Sequence, residues 1–507
     1  MSTDYYNCSP VKRAFLRCKD GIVSFGSAFL NFWRGLGKGI ARSARSFATM
    51  AGGIARDWWY GDFSTKLSYL VLGFGHIARG QIIKGLIYLA MELAFVAYMV
   101  TFGGQHLVYC FENILSGGNI GRVETHISDQ WDDDLGEYVK VEGDNSFKIL
   151  LYGILTVFVI LFFVFMYFLS VQESAELGRM KKKGEKPDGF GKTLHRLTDG
   201  KFHLTLLSLP MLGLFIFTIV PLVTMILIAF TSYDANHEVP EHLFQWVGFE
   251  NFRELFSGGS DLGNTFWLVL GWTFVWAILA TFTNYFLGML LAILINKKGI
   301  RFKKVFRTMF VATIAVPQFV SLLIMSKMLD ADGGIITEWI SQIFGYDLQF
   351  GLDITTTRVC IVLVNMWVGV PYSMLMCSGI LMNIPTDLYE SARIDGASPR
   401  HTFFKITLPY MLFVTGPYLI TQFIGNINNF NVIYLLSGGG PGDLLRYTDG
   451  AKGTDLLITW LYKLSLGADR DYKLASVIGI IVFVISAVFS LSVYNKSSAV
   501  KEEDSFQ

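Results

Sequence analysis

The chain carries few charged residues for its length, and this scarcity limits what kind of protein it can be. Of its 507 residues, 16% are charged and 52% are hydrophobic, whereas soluble domains carry about a quarter charged residues. The net charge of +1 gives no reason to expect a nucleic-acid partner. Length alone would allow about three soluble domains, but repeated apolar runs of roughly 20 residues predict one polytopic membrane protein instead.

Cysteine is also scarce, and the placement of the five cysteines argues against two kinds of site. Cys8 and Cys18 lie in a polar N-terminal segment, and the other three lie at or within apolar runs: Cys110, Cys360 and Cys377. The sequence contains no CxxC pair and no Cys/His cluster. It therefore predicts neither a metal site nor a disulfide framework.

The sequence also lacks a complete phosphate-binding loop and a recognisable catalytic cluster. The stretch GFGKT at 189–193 ends like such a loop, but the motif needs a glycine five positions before Gly191, and Lys186 stands there. The acidic run Asp132–Asp134 has no histidine pair nearby, so a hydrated loop explains it better. We expect no enzyme activity and no cofactor in this chain, and any ATP hydrolysis would belong to another polypeptide.

The sequence does contain apolar runs long enough to cross a bilayer. We predict an all-α integral membrane protein with eight spans, at about 85–102, 149–171, 204–230, 265–295, 305–329, 357–381, 410–436 and 474–494. The first is the least regular, because charged or polar residues interrupt the apolar region around it: His76, Arg79, Lys84 and Glu92. An interfacial amphipathic segment followed by a short span is the alternative there.

Basic and acidic connections alternate along the chain, and this alternation predicts the orientation. Lysine and arginine concentrate before the first span and after the second and fourth, while the connections after the first, third and fifth spans are acidic. The positive-inside rule therefore puts both termini in the cytoplasm. The first 60 residues lack the short apolar core of a cleavable signal peptide, so none is expected.

We divide the chain into four parts on this basis. They are a basic cytoplasmic segment at 1–66, an N-terminal membrane extension with two spans and an acidic extracellular loop at 67–203, a transmembrane core at 204–498 and a cytoplasmic tail at 499–507. The basic segment is interpreted either as an amphipathic helix on the anionic inner leaflet or as a disordered tail.

A compact charged insert at 382–409 interrupts the apolar core, and the predicted orientation places it in the cytoplasm. Thr386 is expected to cap a first short helix. Gly396 is expected to end that helix in the left-handed conformation, and Ser398 to cap a second one. The insert is therefore predicted to be two short helices, joined by a sharp turn, that stand off the membrane.

The spacing within this insert resembles the cytoplasmic coupling loop of ABC-importer permeases. That family's pattern is E-A-A, then G, then I-x-L-P, and here it appears as Glu390-Ser391-Ala392, Gly396 and Ile406-x-Leu408-Pro409, directly before the next span. In that family the loop docks on a separate ATPase subunit, which binds ATP and Mg. The resemblance implies these coupling residues: Glu390, Ser391, Ala392, Asp395, Gly396, Ala397 and Pro409.

The resemblance extends over about residues 200 to 495 and is most specific for the maltose/maltodextrin permeases. Two stretches carry it, LVNMWVGVPYSMLMCSGILMNIPTDLYESARIDGAS and NINNFNVIYLLSGGGPG. It implies a type I ABC importer fold with a sugar site about halfway across the membrane, lined by Asn365, Trp367, Gly369, Tyr372, Asn426 and Asn429. Independently of the family, asparagine within hydrocarbon indicates a cavity or a polar partner. Interhelical hydrogen bonding is therefore the alternative to sugar binding.

The same resemblance implies the partners of the chain. These would be a second homologous permease, two copies of an ABC ATPase, an extracellular sugar-binding protein and an oligosaccharide. The short connection at 231–264 favours a lipid-anchored binding protein of the Gram-positive type. We therefore expect ATP-driven import of a maltodextrin-like oligosaccharide.

Two other functions compete with this prediction. An ion-coupled secondary sugar transporter would need carboxylates buried in mid-membrane, but Glu92 is the only acidic residue inside the predicted spans, and Lys327 is a basic residue near the end of one. The second alternative is an ABC permease that carries a different small solute.

Overall fold

The computed structural model describes most of the chain: residues 57–123, 129–132, 137–140, 143–185, 202–238, 242–297, 301–467 and 470–494, with the single residues 37, 39, 42, 189, 191, 192, 195, 198–200 and 299. The rest of the basic segment before residue 57 and the whole tail at 499–507 lie outside the described residues. What the sequence suggests for those two parts therefore stays a prediction.

Helices dominate the described residues. In chain order they are α1 (Phe63–Leu67), α2 (Phe74–Ile77), α3 (Ile82–Phe111), α4 (Ser146–Lys182), α5 (Phe202–Ile228), α6 (Glu250–Phe256), α7 (Asp261–Asn296), α8 (Lys303–Ile314), α9 (Gln318–Met328), α10 (Ile335–Phe344), α11 (Ile354–Met382), α12 (Thr386–Ile394), α13 (Pro399–Ile427), α14 (Phe430–Ser437), α15 (Leu457–Leu466) and α16 (Tyr472–Tyr494). By length and composition, seven of these helices can cross a membrane, and the bent pair α8–α9 gives an eighth crossing if counted as one span. This agrees with the predicted all-α class and span count.

One small sheet adds to the helices. Strands β1 (Asp129–Asp132) and β2 (Glu137–Lys140) pair antiparallel, within the loop predicted to be acidic and extracellular. The chain also divides into two compact units. The N-terminal unit takes the described residues up to Asn251 together with Asp471–Ser476, and the core unit takes Phe252–Arg470 and the described residues from Val477 onward.

The N-terminal unit explains how an apolar region interrupted by charges can fold. Lys84 and Tyr88 of α3 donate to the Glu173 carboxylate of α4 at 2.8 and 3.0 Å, and buried Arg79 donates to the backbone carbonyl of Ser174 at 2.6 Å. The carboxylate of Glu92 accepts a hydrogen bond from a backbone N–H. Because these partners lie in the same unit, each of these charged groups has a hydrogen-bond or ion-pair partner within the unit.

The first span differs from its prediction. Two short helices, α1 and α2, precede it, and α3 then runs for 30 residues rather than the 18 predicted at 85–102. The helix is therefore longer than both the predicted span and the short span of the alternative, while an interfacial position for the segment before it stays a prediction. Close approach of α3 and α4 supports the longer helix: a Cβ built on Gly153 would lie 2.7 Å from the Cβ of Cys110, and small residues at such contacts favour helix association in membranes.

The core unit is built around α7 and α11. Gly288 of α7 lies against α11, where a Cβ built on it would come within 2.5 Å of the Ser373 Cβ. Trp276 and Tyr285 of α7 are completely or almost completely buried in two neighbouring apolar clusters. Since lipid tails are as apolar as these side chains, such tight packing stabilises the helix pair more than hydrophobic burial does.

Two predicted spans are interrupted in the core unit. The span expected at 305–329 is divided into α8 and α9, which meet at 87°. Pro317 precedes α9 with φ of −56° and ψ of 127°, and proline disfavours the helical conformation of the residue before it. This favours a break here, although Pro371 and Pro417 lie inside continuous helices. The span expected at 410–436 ends at Ile427, and α14 follows after Asn428 and Asn429.

A buried ion pair fixes the connection between α14 and α15. The Lys463 ammonium of α15 donates to the Asp455 carboxylate at 2.6 Å, and the Asp455 side chain is fully buried. Thr459 and the backbone N–H of Lys452 donate to the same carboxylate. Burial raises the pKa of Asp455 against the opposing attraction of Lys463, and burial lowers the pKa of Lys463.

Candidate functional site

A cavity of about 480 Å³ lies inside the core unit. Its walls come from α7, from the bend between α8 and α9, from α11, and from α13 with Asn429, the residue that caps α14. All six residues that the sequence assigns to a sugar site line this one cavity: Asn365, Trp367, Gly369, Tyr372, Asn426 and Asn429. Their assembly in one place is a property of the fold, and their contact with a sugar stays a prediction.

Helical periodicity explains how α11 and α13 contribute. Residues three or four apart share one face of a helix, and α11 lines the cavity with Asn365, Gly369 and Tyr372 at such intervals. On α13 the lining positions 418, 422 and 426 are spaced by four. Each helix thus presents a polar stripe to the cavity, and the α8–α9 bend adds Gln318 and Ser321.

Aromatic surface is available in the cavity wall. The side chains of Trp367 and Tyr372 are about half exposed, at 49% and 51%. The flat, apolar faces of such rings pack against the apolar C–H face of a sugar ring, while amide groups bond to its hydroxyls. The wall therefore combines the two kinds of group that carbohydrate recognition needs.

Asn426 and Asn429 also hold the wall together. The Asn426 amide donates to the Thr281 hydroxyl of α7 at 3.0 Å, and the Asn429 amide donates to the Asn426 side-chain oxygen at 3.2 Å. The Asn429 oxygen accepts from the backbone N–H of Val432 and so caps α14. These two residues form the interhelical bonds that the sequence left open as an alternative, and each side-chain amide keeps one further N–H.

Gly369 has a specific steric role. A Cβ built at this position would lie 2.2 Å from the Nδ2 atom of Asn284, which is too close for any real contact. The Asn284 amide of α7 therefore lies directly against the α11 backbone, in space that only glycine leaves open.

This packing leads to a prediction for Gly369→Ala. The added methyl group must displace the Asn284 amide. If this cavity binds the sugar that the sequence analysis predicts and Asn284 contributes one hydrogen bond to it, the apparent affinity should fall about tenfold. Uptake by the reconstituted importer at increasing sugar concentration measures this. Gly379→Ala is the matched control, because it lies on the same helix and its Cβ would meet nothing within 4 Å. Equal affinities of the two variants would contradict the prediction.

The insert at 382–409 has the predicted turn. Gly396 has φ of +70°, and the backbone N–H of Ala397 donates to the carbonyl of Ala392 at 2.9 Å, closing the end of α12. Ser398 accepts from the backbone N–H of His401 and begins the next helix at Pro399. Ile394, at the end of α12, is 87% exposed, so this end of the helix presents an unpacked apolar side chain.

Two details of the insert differ from the sequence prediction. Thr386 is the first residue of α12, and Pro385 occupies the capping position without a side-chain bond. The second helix is not a separate short element, because α13 continues from Pro399 to Ile427. A π-helical turn at Phe403–Thr407 precedes Pro409. Proline has no backbone N–H to donate to the preceding turn, and a π-helical turn lets the helix continue despite the missing hydrogen bond.

Several cavity residues were not identified from the sequence. Asn284, Tyr418 and Gln422 line the cavity from α7 and α13. The sequence signal for them was present, since amide side chains inside apolar helices indicate a polar cavity or partner. The helix that carries Asn284 is 36 residues long and mostly apolar, and its other asparagines, Asn264 and Asn296, lie near its ends. The sequence alone therefore gives no indication of which face Asn284 occupies.

Comparison with known proteins matches this chain to one family model and to several transport permeases. The family described as binding-protein-dependent transport system inner membrane component matches residues 284–498. The maltodextrin transport system permease protein MdxF of Bacillus subtilis is 32% identical over 443 residues, which are 86% of this chain and 95% of that protein.

Two further relatives show how the likeness varies along the chain. The galactooligosaccharides transport system permease protein GanP of Bacillus subtilis is 34% identical over 437 residues, 86% of this chain and 97% of that protein. The maltose/maltodextrin transport system permease protein MalF of Escherichia coli K12 is 37% identical over 247 residues, 48% of each chain.

Proposed function

The chain belongs to the binding-protein-dependent transport inner-membrane family, and from that premise we propose that it is the permease subunit that carries a maltodextrin-like oligosaccharide across the cell membrane. Its role as a multi-pass transport subunit follows from the family and from its apolar helices. The sugar, the partners and the orientation are the parts that we infer.

The cavity is the observation that carries this proposal. Amide side chains and two half-exposed aromatic rings face the same space of about 480 Å³. Ligand sites in proteins commonly occupy about 300–1,000 Å³. None of the residues lining this cavity carries a formal charge, which favours a neutral solute that offers hydroxyl groups.

The names of the relatives narrow the solute to two candidates. MdxF is named for maltodextrin and GanP for galactooligosaccharides, and both are chains of neutral sugar rings. Maltodextrin is the first candidate, because the MalF relative of higher local identity is named for the same class. A galactooligosaccharide is the second candidate.

The mechanism that we infer is alternating access driven by partner subunits. A lipid-anchored extracellular protein delivers the oligosaccharide to this chain and a second, homologous permease. Two copies of an ATPase subunit bind ATP and Mg, close on each other and act on the insert at 382–409, which lies with both termini on the cytoplasmic side. Exposed Ile394 and the turn at Gly396 support the insert as the docking surface.

Co-purification and uptake test this proposal together. We expect the chain, isolated from its native membrane in mild detergent, to carry a second permease and an ATPase in fixed proportion. The reconstituted complex is expected to accumulate maltotriose only with ATP and the binding protein. A parallel uptake measurement with galactotriose distinguishes the two candidate solutes. Uptake by the isolated chain without ATP would contradict the proposal and favour a secondary transporter.

A further inference from the structure

Two buried polar atoms of residues that line the cavity lack a hydrogen-bond partner among the described residues. They are the side-chain oxygen of Asn284 and the side-chain nitrogen of Asn365. Asn365 is 5% exposed, so its N–H groups are largely removed from water. A buried polar atom without a partner is unfavourable. Because both residues line the cavity, a ligand bound there could supply the missing bonds to what we call the asparagine pair, Asn284 and Asn365.

The two unpartnered atoms of the pair determine which chemical group of a ligand could bond to both. The Asn284 oxygen can only accept a hydrogen bond, and the Asn365 nitrogen can only donate one. A hydroxyl group does both, because it has one donor hydrogen and two acceptor lone pairs. A carboxylate would bond to Asn365 but leave the Asn284 oxygen facing a like charge, and an ammonium group would serve Asn284 alone. The pair therefore selects hydroxyl groups against either charge.

The two amides are close enough to bind one sugar ring. Asn284 lies against Gly369, which stands four residues after Asn365 on the same face of α11. Four residues rise about 6 Å along a helix, a distance comparable to a hexose ring. Asn284 comes from α7 and Asn365 from α11, so a ring held by both would also bridge the two helices.

We propose that Asn284 is a further sugar-binding residue, and that with Asn365 it orients one neutral ring through the ring hydroxyls. This inference rests on the proposed function and adds a selectivity to it. A ring that carries a carboxylate at this position is rejected, even when its size and hydroxyl pattern otherwise match. The glycine at position 369 is part of the same arrangement, because it leaves the space in which the Asn284 amide lies.

Equilibrium binding to the complete importer tests the inference. The complex, in lipid nanodiscs with a non-hydrolysable ATP analogue, is titrated with radiolabelled maltotriose, and unlabelled trigalacturonate competes in a parallel series. The variants are Asn284→Ala, Asn365→Ala and the double variant. Asn428→Ala is the matched control, since Asn428 lies two residues after Asn426 but is exposed and bonds to the backbone of its own helix.

We expect each single variant to weaken maltotriose binding about tenfold or more, and the double variant to be weakened by less than the product of the singles, because both act on one ring. Asn284→Ala is also expected to reduce the preference for maltotriose over trigalacturonate, which a purely structural loss would leave unchanged. Asn428→Ala should bind like the unsubstituted complex.

The outcomes separate this inference from the proposed function. Normal binding by Asn284→Ala, or independent effects that multiply in the double variant, would overturn the inference and leave the proposed function intact. Failure of the unsubstituted complex to bind maltotriose or galactotriose would overturn both. If Asn284→Ala does not assemble, Asn284→Asp keeps the shape and the acceptor, and a preserved affinity there supports the inference while a tenfold loss contradicts it.

Discussion

Gly396→Val is expected to reduce ATP-driven uptake to about a tenth of the unsubstituted value or less. Position 396 has φ of +70°, where a β-branched side chain is strongly disfavoured. The turn must therefore change its path, which moves the exposed end of α12 and the start of α13 relative to each other. If the insert transmits work from an ATPase, this small displacement uncouples hydrolysis from transport.

The control is a glycine with the same local geometry elsewhere. Gly345 ends α10 with φ of +65°, and its Cβ, like that of Gly396, would meet nothing within 4 Å. Gly345→Val therefore introduces comparable backbone strain outside the insert. Uptake of labelled maltotriose and ATP hydrolysis are measured on both reconstituted complexes. Uptake by Gly396→Val equal to that of Gly345→Val would show that the insert does not couple the two activities.

Lys463→Met is expected to destabilise the core unit by about 3–5 kcal/mol, the usual cost of leaving one charge of a buried pair without its partner. The Asp455 carboxylate is fully buried. Thr459 and the backbone N–H of Lys452 are uncharged donors, so their hydrogen bonds do not replace the positive charge of the ammonium. Thermal unfolding of the purified complex, followed by intrinsic fluorescence, measures the loss.

The pH dependence of this variant has a definite sign. Burial already raises the pKa of Asp455, and removal of Lys463 raises it further. A group whose pKa is higher in the folded state loses stability as pH rises through that value, so the variant should be most stable in acid and lose stability toward neutral pH. Equal stability loss at all pH values would contradict a charge-based explanation.

A second pair provides the comparison for Lys463. Arg446 and Asp443 lie 3.5 Å apart, and the arginine side chain is 71% exposed. Exposed pairs of this kind contribute about 0–1 kcal/mol. Arg446→Met should therefore leave the unfolding temperature almost unchanged, and a loss equal to that of Lys463→Met would show that burial is not the cause.

The limits of sequence-based prediction are visible at particular elements. The spans were predictable because about 20 apolar residues are needed to cross hydrocarbon, and Gly396 and Ser398 were predictable because turn and cap chemistry is local. The break at Pro317 had a local signal, which the continuous apolar run obscured. The helix α13 continues through a π-helical turn before Pro409, and no local sequence pattern predicts that turn.

The cavity residues also divide into those that the sequence predicts and those that it does not. Asn365, Gly369 and Tyr372 could be assigned to one face because they share one helix. Asn284 could not, because its place depends on how α7 packs against α11. The internal bonds of Asn426 and Asn429 were likewise not predictable, since their partners are set by three helices meeting. Which amides remain available for a ligand is thus decided by tertiary packing.

The continuity of α13 has a mechanical consequence. One uninterrupted helix joins the turn at Gly396 to the cavity residue Asn426, and its 28 residues from Pro399 to Asn426 measure about 42 Å at 1.5 Å per residue. Tilting a rigid rod of that length by about 10° moves its far end by about 7 Å, which is more than one turn of helix. The π-helical turn at Phe403–Thr407 lies close to the turn at Gly396, so bending there would reduce the displacement of the cavity end very little. Pro417 lies inside the same helix, nearer the cavity, and bending there would reduce it more.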